Sequence, residues 1–362
     1  MNRRNPRRRI VRRAVGWVCL GIILCVGLVC TRLYQRHGTA GDTVVLEVTK
    51  GLGSRGLVTQ LSRLGLVNDP ALAYWFFRFK GVHETLRAGS YHLSSDDNLV
   101  GLAETFSRPD KVSYPTVTII PGDTVWRVGA QLERTLPGTL ERWLAHVSDH
   151  RYAADTMGLP VGVERPSRPD GVRATYLEGF LYPDTYHLAT DASVDGLIRR
   201  SVSRFKEVWG ALKSTHAAAY TDLRRRYGLS ELELVTLASL VEREVTRSDE
   251  RSRVAGVFYN RLDRGMRLQT DPTLMYHPLR EGVKPHVSHR RDGSNPYNTY
   301  TNDGLPPGPI GAPERASLES VLMPERHELL YFVAMRDGSG RHDFSRTLDE
   351  HEEKIRRHLK RP

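Results

Sequence analysis

Ser230-Glu231-Leu232-Glu233-Leu234-Val235-Thr236-Leu237-Ala238-Ser239-Leu240-Val241-Glu242-Arg243-Glu244-Val245 opens with a serine followed three residues later by a glutamate. This is the spacing of a capping box, so the start of a helix is well specified. At about 100° per residue, Leu234, Leu237, Ala238, Val241 and Val245 share one face, with Leu240 at its edge. Glu244 lies beside that face, near Leu237, Leu240 and Val241, and Glu242 points further away. An ordinary boundary carboxylate paired with Arg243 or Arg247 fits this pattern. So does a carboxyl held against an apolar wall, where lost hydration favours the neutral form and raises the pKa. A general acid acting near neutral pH requires that second environment.

Helical spacing recurs on both sides of this segment, over Val194–Trp209, Ala217–Arg226 and Val254–Arg264, separated by polar loops with Pro and Gly. Residues 150–172, rich in Pro, Gly, Arg and Asp, read as a long surface loop or domain junction, which places the main boundary near 150–175. Before it, Val44, Leu46 and Val48 alternate as a strand, and Gly53–Leu64 carries helical spacing that ends near Gly65. Leu72–Phe79 is an aromatic-rich helix read as core, and Ala88–Leu93 a strand. Val117 and Ile119 then lead through Pro121-Gly122-Asp123-Thr124 into a helix whose Val125, Val128 and Leu132 face inward. The string Pro121–Trp126 resembles the opening of a LysM module, a glycan-binding βααβ unit, although a plain helix start fits it equally well.

The formal charge of +11 is concentrated: Arg3, Arg4, Arg7, Arg8, Arg9, Arg12 and Arg13 precede any acid, and setting these seven aside lowers the excess to +4. The body is only mildly basic and does not point to nucleic acid. Ala14–Thr31 is free of charge, and at ~1.5 Å per residue it spans ~27 Å, close to a bilayer's hydrocarbon thickness. A cleaved signal peptide shares these features. No clear A-x-A site follows, and Arg32, Tyr34 and Arg36 continue the chain as an interfacial anchor would. A retained anchor over 14–34 is therefore expected, behind a cytoplasmic basic tail (1–13), with a short linker at His37–Asp42 and the body exported. Cys19, Cys25 and Cys30 all lie in the apolar stretch, which leaves the body without disulfides or thiolate chemistry.

His342 sits in a Gly-x-His-x-Phe pattern, His351 follows in the tail helix, and His277, His286 and His289 lie in a loop. None has the His-Glu-x-x-His spacing of a zinc site, so no metal and no cofactor is expected. Neither a Gly-x-Ser-x-Gly elbow nor a P-loop is present.

Several long segments, in order, resemble the endolytic murein transglycosylase (YceG-like) family. They are Leu177–Tyr186, Leu237–Glu244, Val254–Leu262 with Asn260-Arg261-Leu262, Gly265–Thr273, Tyr297–Tyr300 and Gly304–Ile310. The resemblance runs from about residue 42 to 355. It implies a lyase that cuts the β-1,4 bond between N-acetylmuramic acid and N-acetylglucosamine inside peptidoglycan strands, without water, leaving 1,6-anhydro-muramyl ends and terminating nascent strands. In the family's Glu-Lys/Arg-Glu signature the second glutamate is catalytic, which maps to Glu244, with Glu242 in a supporting position. Gln269, Asp271, Tyr297, Asn298, Thr299 and Tyr300 are candidates to bind sugar hydroxyls and acetamido groups, and local loop scaffolding is the alternative for each. Glu178 is a lesser, supporting candidate.

The expected architecture is α+β: a transmembrane helix, a small N-terminal α+β region (43–150) with the LysM-like segment, and a larger mixed α/β catalytic domain (173–358). Peptidoglycan glycan strands are the expected substrate and peptidoglycan synthases the candidate protein partners, at the inner membrane. A non-enzymatic glycan-binding scaffold that recruits wall-synthesis proteins is the alternative.

Overall fold

The computed structural model describes residues 6–36, 42–49, 51–165, 168–188, 193–280, 282–284 and 286–359. Of the expected basic tail, residues 1–5 lie outside the described residues, as does the linker apart from Asp42. Helix α1 (Pro6–Leu33) starts earlier than the apolar run. Proline suits the first helical position and arginine propagates helix well, so the basic segment joins the same helix. Its Val15–Leu33 portion has a mean hydropathy of 2.1 and no buried share, and is long and apolar enough to cross a membrane.

The described residues up to Pro115, with Leu188, form one compact unit; 116–187 and 193–359 form a second. In the first, β1 (Thr43–Val48), α2 (Ser54–Arg63), α3 (Pro70–Phe79), α4 (Val82–Thr85), β2 (Gly89–Ser94), α5 (Leu99–Ser107) and β3 (Val112–Ser113) follow in order. The strands make an antiparallel sheet with β2 in the middle, Leu46 opposite Tyr91. Leu57, Leu61, Phe77, Tyr91 and Phe106 form its core. Helix α3 starts at Pro70 because the Asp69 side chain accepts the Leu72 N–H at 3.0 Å. Its aromatic run divides between core and surface: Phe77 is buried, whereas Trp75 and Phe79 are exposed.

The second unit begins with β4 (Thr116–Ile119), α6 (Val125–Thr135) and α7 (Leu140–Val147), and β5 (Asp184–His187) returns to pair antiparallel with β4, Val117 opposite Tyr186. This division differs from the junction expected near 150–175. The partner of β4 lies beyond that stretch, and the stretch is itself tied in, Arg168 Nη1 donating to the Tyr276 carbonyl at 2.7 Å.

The helices α8 (Val194–Thr215), α9 (Ala217–Tyr227), α10 (Glu231–Glu244) and α11 (Arg251–Asp263) follow. Then come the short α12 (Asp271–Leu274) and α13 (Val287–Arg290), α14 (Arg315–Leu322), the hairpin β6 (Tyr331–Ala334) and β7 (His342–Ser345), and α15 (Leu348–Leu359).

Helix α10 is central. Its capping box forms: Glu233 N donates to Ser230 Oγ at 3.2 Å, and Ser230 N to Glu233 Oε2 at 2.7 Å. The predicted stripe understates its burial, because every residue from Leu234 to Val241 is buried, with α11 and α14 packed against it. The two hydroxyls this includes are satisfied within the fold. Thr236 Oγ1 donates to the Leu232 carbonyl at 2.8 Å. Ser239 Oγ donates to the Thr236 carbonyl at 2.7 Å and accepts the Ile310 N–H at 3.0 Å.

Candidate functional site

Glu244 is the last residue of α10 and is half-buried. Burial pushes its carboxyl up to about 7. The hydroxyl of Thr270 donates to Oε1 and opposes that shift, nearby Asp271 adds to it, and Arg261 and Arg243 oppose it more weakly. A carboxylate at a helix C-terminus also faces the negative end of the helix dipole, which disfavours its charge further. At neutral pH such a carboxyl exists in both protonation states, the condition for giving and taking a proton in one cycle.

The loop that carries Thr270 is held from several sides. Thr270 N donates to Thr299 Oγ1 at 3.0 Å, Thr273 Oγ1 donates to the Thr270 carbonyl at 2.7 Å, and Gln269 N donates to the Thr299 carbonyl at 3.1 Å. From α11, the buried Arg261 donates through Nη1 to the carbonyls of Leu268 at 2.8 Å and Arg267 at 3.1 Å. Its Nε donates to the Leu330 carbonyl at 2.7 Å. Gln269 takes φ 50°, the one positive φ of a non-glycine among the described residues. Such a conformation costs ~1–3 kcal/mol and persists only where surrounding bonds impose it.

Of the residues expected from the sequence, Gln269 and Asp271 flank Thr270 on this loop, and Tyr300 reaches Asp271 from the 297–300 segment. Gln269 is exposed. Asp271 receives both Arg290 Nη2 bonds at 3.1 Å and the Tyr300 hydroxyl at 2.6 Å, and the Arg290 guanidinium lies 5.0 Å from the centre of the Tyr300 ring.

Tyr297, Asn298 and Thr299 are buried and engaged with protein. Asn298 Nδ2 donates to the carbonyl of Asp292 at 2.8 Å and its Oδ1 accepts the Tyr300 N–H at 2.9 Å, so it shapes the turn beneath Tyr300. Thr299 braces the Thr270 loop. The Tyr297 ring lies 4.6 Å from that of Tyr276.

The two further glutamates are tied into the scaffold. Glu242 accepts from Arg251 Nη2 at 3.2 Å and from the Glu314 N–H at the start of α14 at 2.9 Å, while Arg251 also pairs with Glu314. Glu178 is buried and accepts the first N–H of α6, from Val125, at 3.2 Å and the Tyr276 hydroxyl at 2.9 Å. Thr270, Arg261 and Arg243 join the surroundings of Glu244 in addition to the residues expected from the sequence. They fall inside the segments that carry the resemblance, but no spacing rule marks them.

Arg243 joins the Pro121–Thr124 turn to α10. Its Nη1 donates to the Gly122 carbonyl at 2.8 Å, and Gly122 N in turn donates to the Ala312 carbonyl at 2.8 Å. A groove of about 550 Å³ adjoins this cluster, lined among others by Gly122, Arg127, Glu242, Arg243, Asp271 and Met275. No group of three or more His, Cys, Asp or Glu side chains placed to hold a metal ion occurs among the described residues.

A family model described as the YceG-like family matches residues 46–357. The chain is similar to proteins named endolytic murein transglycosylase. That of Streptococcus pneumoniae R6 is 28% identical over 333 residues, covering 87% of this chain and 58% of the relative. That of Bacillus subtilis is 27% identical over 318 residues, covering 85% and 83%. The chain thus spans somewhat over half the length of the pneumococcal relative. A crystal structure described as a putative YceG-like protein from Listeria monocytogenes aligns with a TM-score of 0.56 and 29% identity, over 87% of this chain and all of the other.

Proposed function

The chain belongs to the YceG-like family, and from that membership we propose that it is an endolytic peptidoglycan lytic transglycosylase with Glu244 as its acid and base. The observation that carries the reading is a half-buried carboxyl pushed up to about 7 at the end of α10, whose neighbours Arg243 and Asp271 line a groove. Relatives named endolytic murein transglycosylase support the substrate and the reaction class.

In the proposed cycle, protonated Glu244 donates to the glycosidic oxygen as positive charge develops at C1 of the muramyl residue. The C1–O bond breaks and the N-acetylglucosamine end departs as an alcohol. The carboxylate then takes the proton from the muramyl C6 hydroxyl, whose oxygen closes on C1 to form the 1,6-anhydro ring. One carboxyl serves both steps because the nucleophile belongs to the substrate, so the second catalytic carboxylate of an ordinary glycosidase is not required. Gln269, Asp271 and Tyr300 are the proposed sugar contacts. Tyr297, Asn298, Thr299, Glu242 and Glu178 act by holding the loops that present them.

Residues 173–358 are the proposed catalytic part, with Pro121 and Gly122 of the 43–150 region contributing to the groove wall. The order β4–α6–α7, with β4 paired antiparallel to β5 from beyond the 43–150 region, supports a LysM-like reading of the segment that opens at Pro121. The apolar span of α1 supports a single-pass anchor. The arginines before it favour a cytoplasmic N-terminus and a body outside the membrane, where peptidoglycan synthases supply nascent strands and are the proposed partners.

The test is product analysis of glycan strands incubated with the full chain in isotopically labelled water. Unlabelled 1,6-anhydro-muramyl ends are expected. Labelled reducing ends would identify a hydrolase, and uncut strands would remove the enzymatic reading.

A further inference from the structure

Resting on the peptidoglycan reading above, we propose that a second cavity, next to the groove, binds the free carboxylate end of a peptide carried by the glycan strand. The cavity holds about 210 Å³ and is lined among others by Trp126, Arg165, Arg168, Arg173, Tyr276 and Tyr297. Neighbouring residues divide between the two hollows: Arg127 and Met275 line the groove, Trp126 and Tyr276 the cavity. A strand lying in the groove could therefore reach it with a side branch.

Shape and chemistry select the occupant. Ligand pockets for whole small molecules begin at about 300 Å³, so this one takes a terminal group rather than a disaccharide. Its walls are aromatic rings, prolines, Val172 and Ala174, which suit alkyl carbon better than the ring of hydroxyls on a sugar. Trp126, Tyr276 and Tyr297 form a continuous row of tilted rings, with centroids 4.8 and 4.6 Å apart.

Against this apolar wall stand three guanidinium groups. Arg168 is compensated by Asp170 at 2.9 Å. Among the described residues neither Arg165 nor Arg173 forms an ion pair. Arg165 spends its charge on neutral oxygens, the carbonyls of Pro307 and Thr175 and the Tyr297 hydroxyl, and lies 5.0 Å from the centre of the Tyr176 ring. Its Nη2 carries two protons and one of them meets the Thr175 carbonyl. Arg173 is exposed at the rim. Among the described residues Arg165 Nε, Arg168 Nε and the neighbouring Asn295 Nδ2 are buried donors without an acceptor. Uncompensated positive charge over an apolar floor is complementary to a short alkyl group ending in a carboxylate, as at the C-terminus of an alanyl peptide.

The experiment measures binding without cleavage. The full chain in detergent is titrated with a synthetic peptide of the stem type ending in free D-alanine, and with the same peptide as its C-terminal amide, by calorimetry. Saturable binding of the acid and at least ~10-fold weaker binding of the amide are expected, the factor that loss of one charge-assisted hydrogen bond brings. Arg165→Gln removes the inner charge. Arg173→Gln, at an exposed position that leaves the fold intact, is expected to weaken acid binding several-fold. Equal affinity for acid and amide, or unchanged acid binding in Arg173→Gln together with Arg165→Gln, overturns the proposal. If the peptide binds as expected while the parent cuts no strands, the site stands and the proposed activity falls.

Discussion

The Thr270 hydroxyl reaches across 26 positions of sequence to donate to Glu244 Oε1. A hydrogen bond from a neutral donor favours the charged form of a carboxyl, so this contact restrains the upward shift that burial imposes. Thr270→Val keeps the shape and removes the donor. The alkaline limb of the pH–rate profile should move upward by on the order of one pH unit, since hydrogen bonds to charged groups are worth ~1.5–3 kcal/mol. A limb that stays in place would show the contact to be incidental.

Asp271 acts in the opposite sense, its negative charge raising the Glu244 pKa. Asp271→Asn removes that charge while keeping an acceptor for the Tyr300 hydroxyl. The same limb should then move downward. A downward shift here with an upward shift in Thr270→Val is the signature of one titrating carboxyl; shifts of the same sign in both variants would contradict it.

Stability should carry the same information. A carboxyl with a raised folded pKa binds more protons folded than unfolded between its ordinary value of 4.5 and about 7. Stability from this group is therefore greatest at low pH and is lost as pH rises through that window. Glu244→Gln abolishes the penalty, which amounts to at most about 3 kcal/mol above pH 7. Thermal melts should place the variant above the parent at pH 8, with the gap closing towards pH 4.5. A variant that melts lower than the parent at pH 8 would count against a strained carboxyl.

The backbone of the turn before α6 closely approaches that of Gly311, and the Arg243 side chain of α10 joins them. A Cβ added at Gly311 would meet the Gly122 carbonyl oxygen at 2.8 Å and its carbon at 3.1 Å, with the Arg243 side chain at 3.4 Å. Backbone cannot yield as a flexible side chain does, so Gly311→Ala should destabilise by ~1–3 kcal/mol and loosen the Arg243–Gly122 bond. Urea unfolding measures the first effect. Unchanged stability would mean that the turn moves freely.

Helix α10 was legible because its signals are local. The capping box and the apolar spacing sit within sixteen consecutive residues, and they place Glu244 at the edge of an apolar face. The depth of burial was less legible: periodicity finds one stripe, but α11, α14 and the 309–312 segment cover α10 on more than one side. The loop residues resisted for a different reason. Gln269, Asp271 and Tyr300 could be named by chemistry, but no period tells which members of Tyr297–Tyr300 turn inward, and Asn298 and Thr299 are buried and bonded to neighbouring loops. Nothing in the sequence marks Thr270, because its relation to Glu244 is made by tertiary contact alone. The pairing of β4 with β5 likewise depends on strands some sixty-five residues apart, and it carries the start of the second unit to residue 116.

The central claim is that the Glu244 carboxyl delivers and recovers the proton. The most direct measurement is the initial rate at which the full chain, as parent and as Glu244→Gln, releases 1,6-anhydro-muramyl ends from glycan strands at pH 6, with both proteins shown to be folded by their melts. The amide fills the same space but cannot donate an acidic proton, and a loss of ~100-fold or more is expected, the range that general acid–base catalysis supplies. Equal rates would contradict the account.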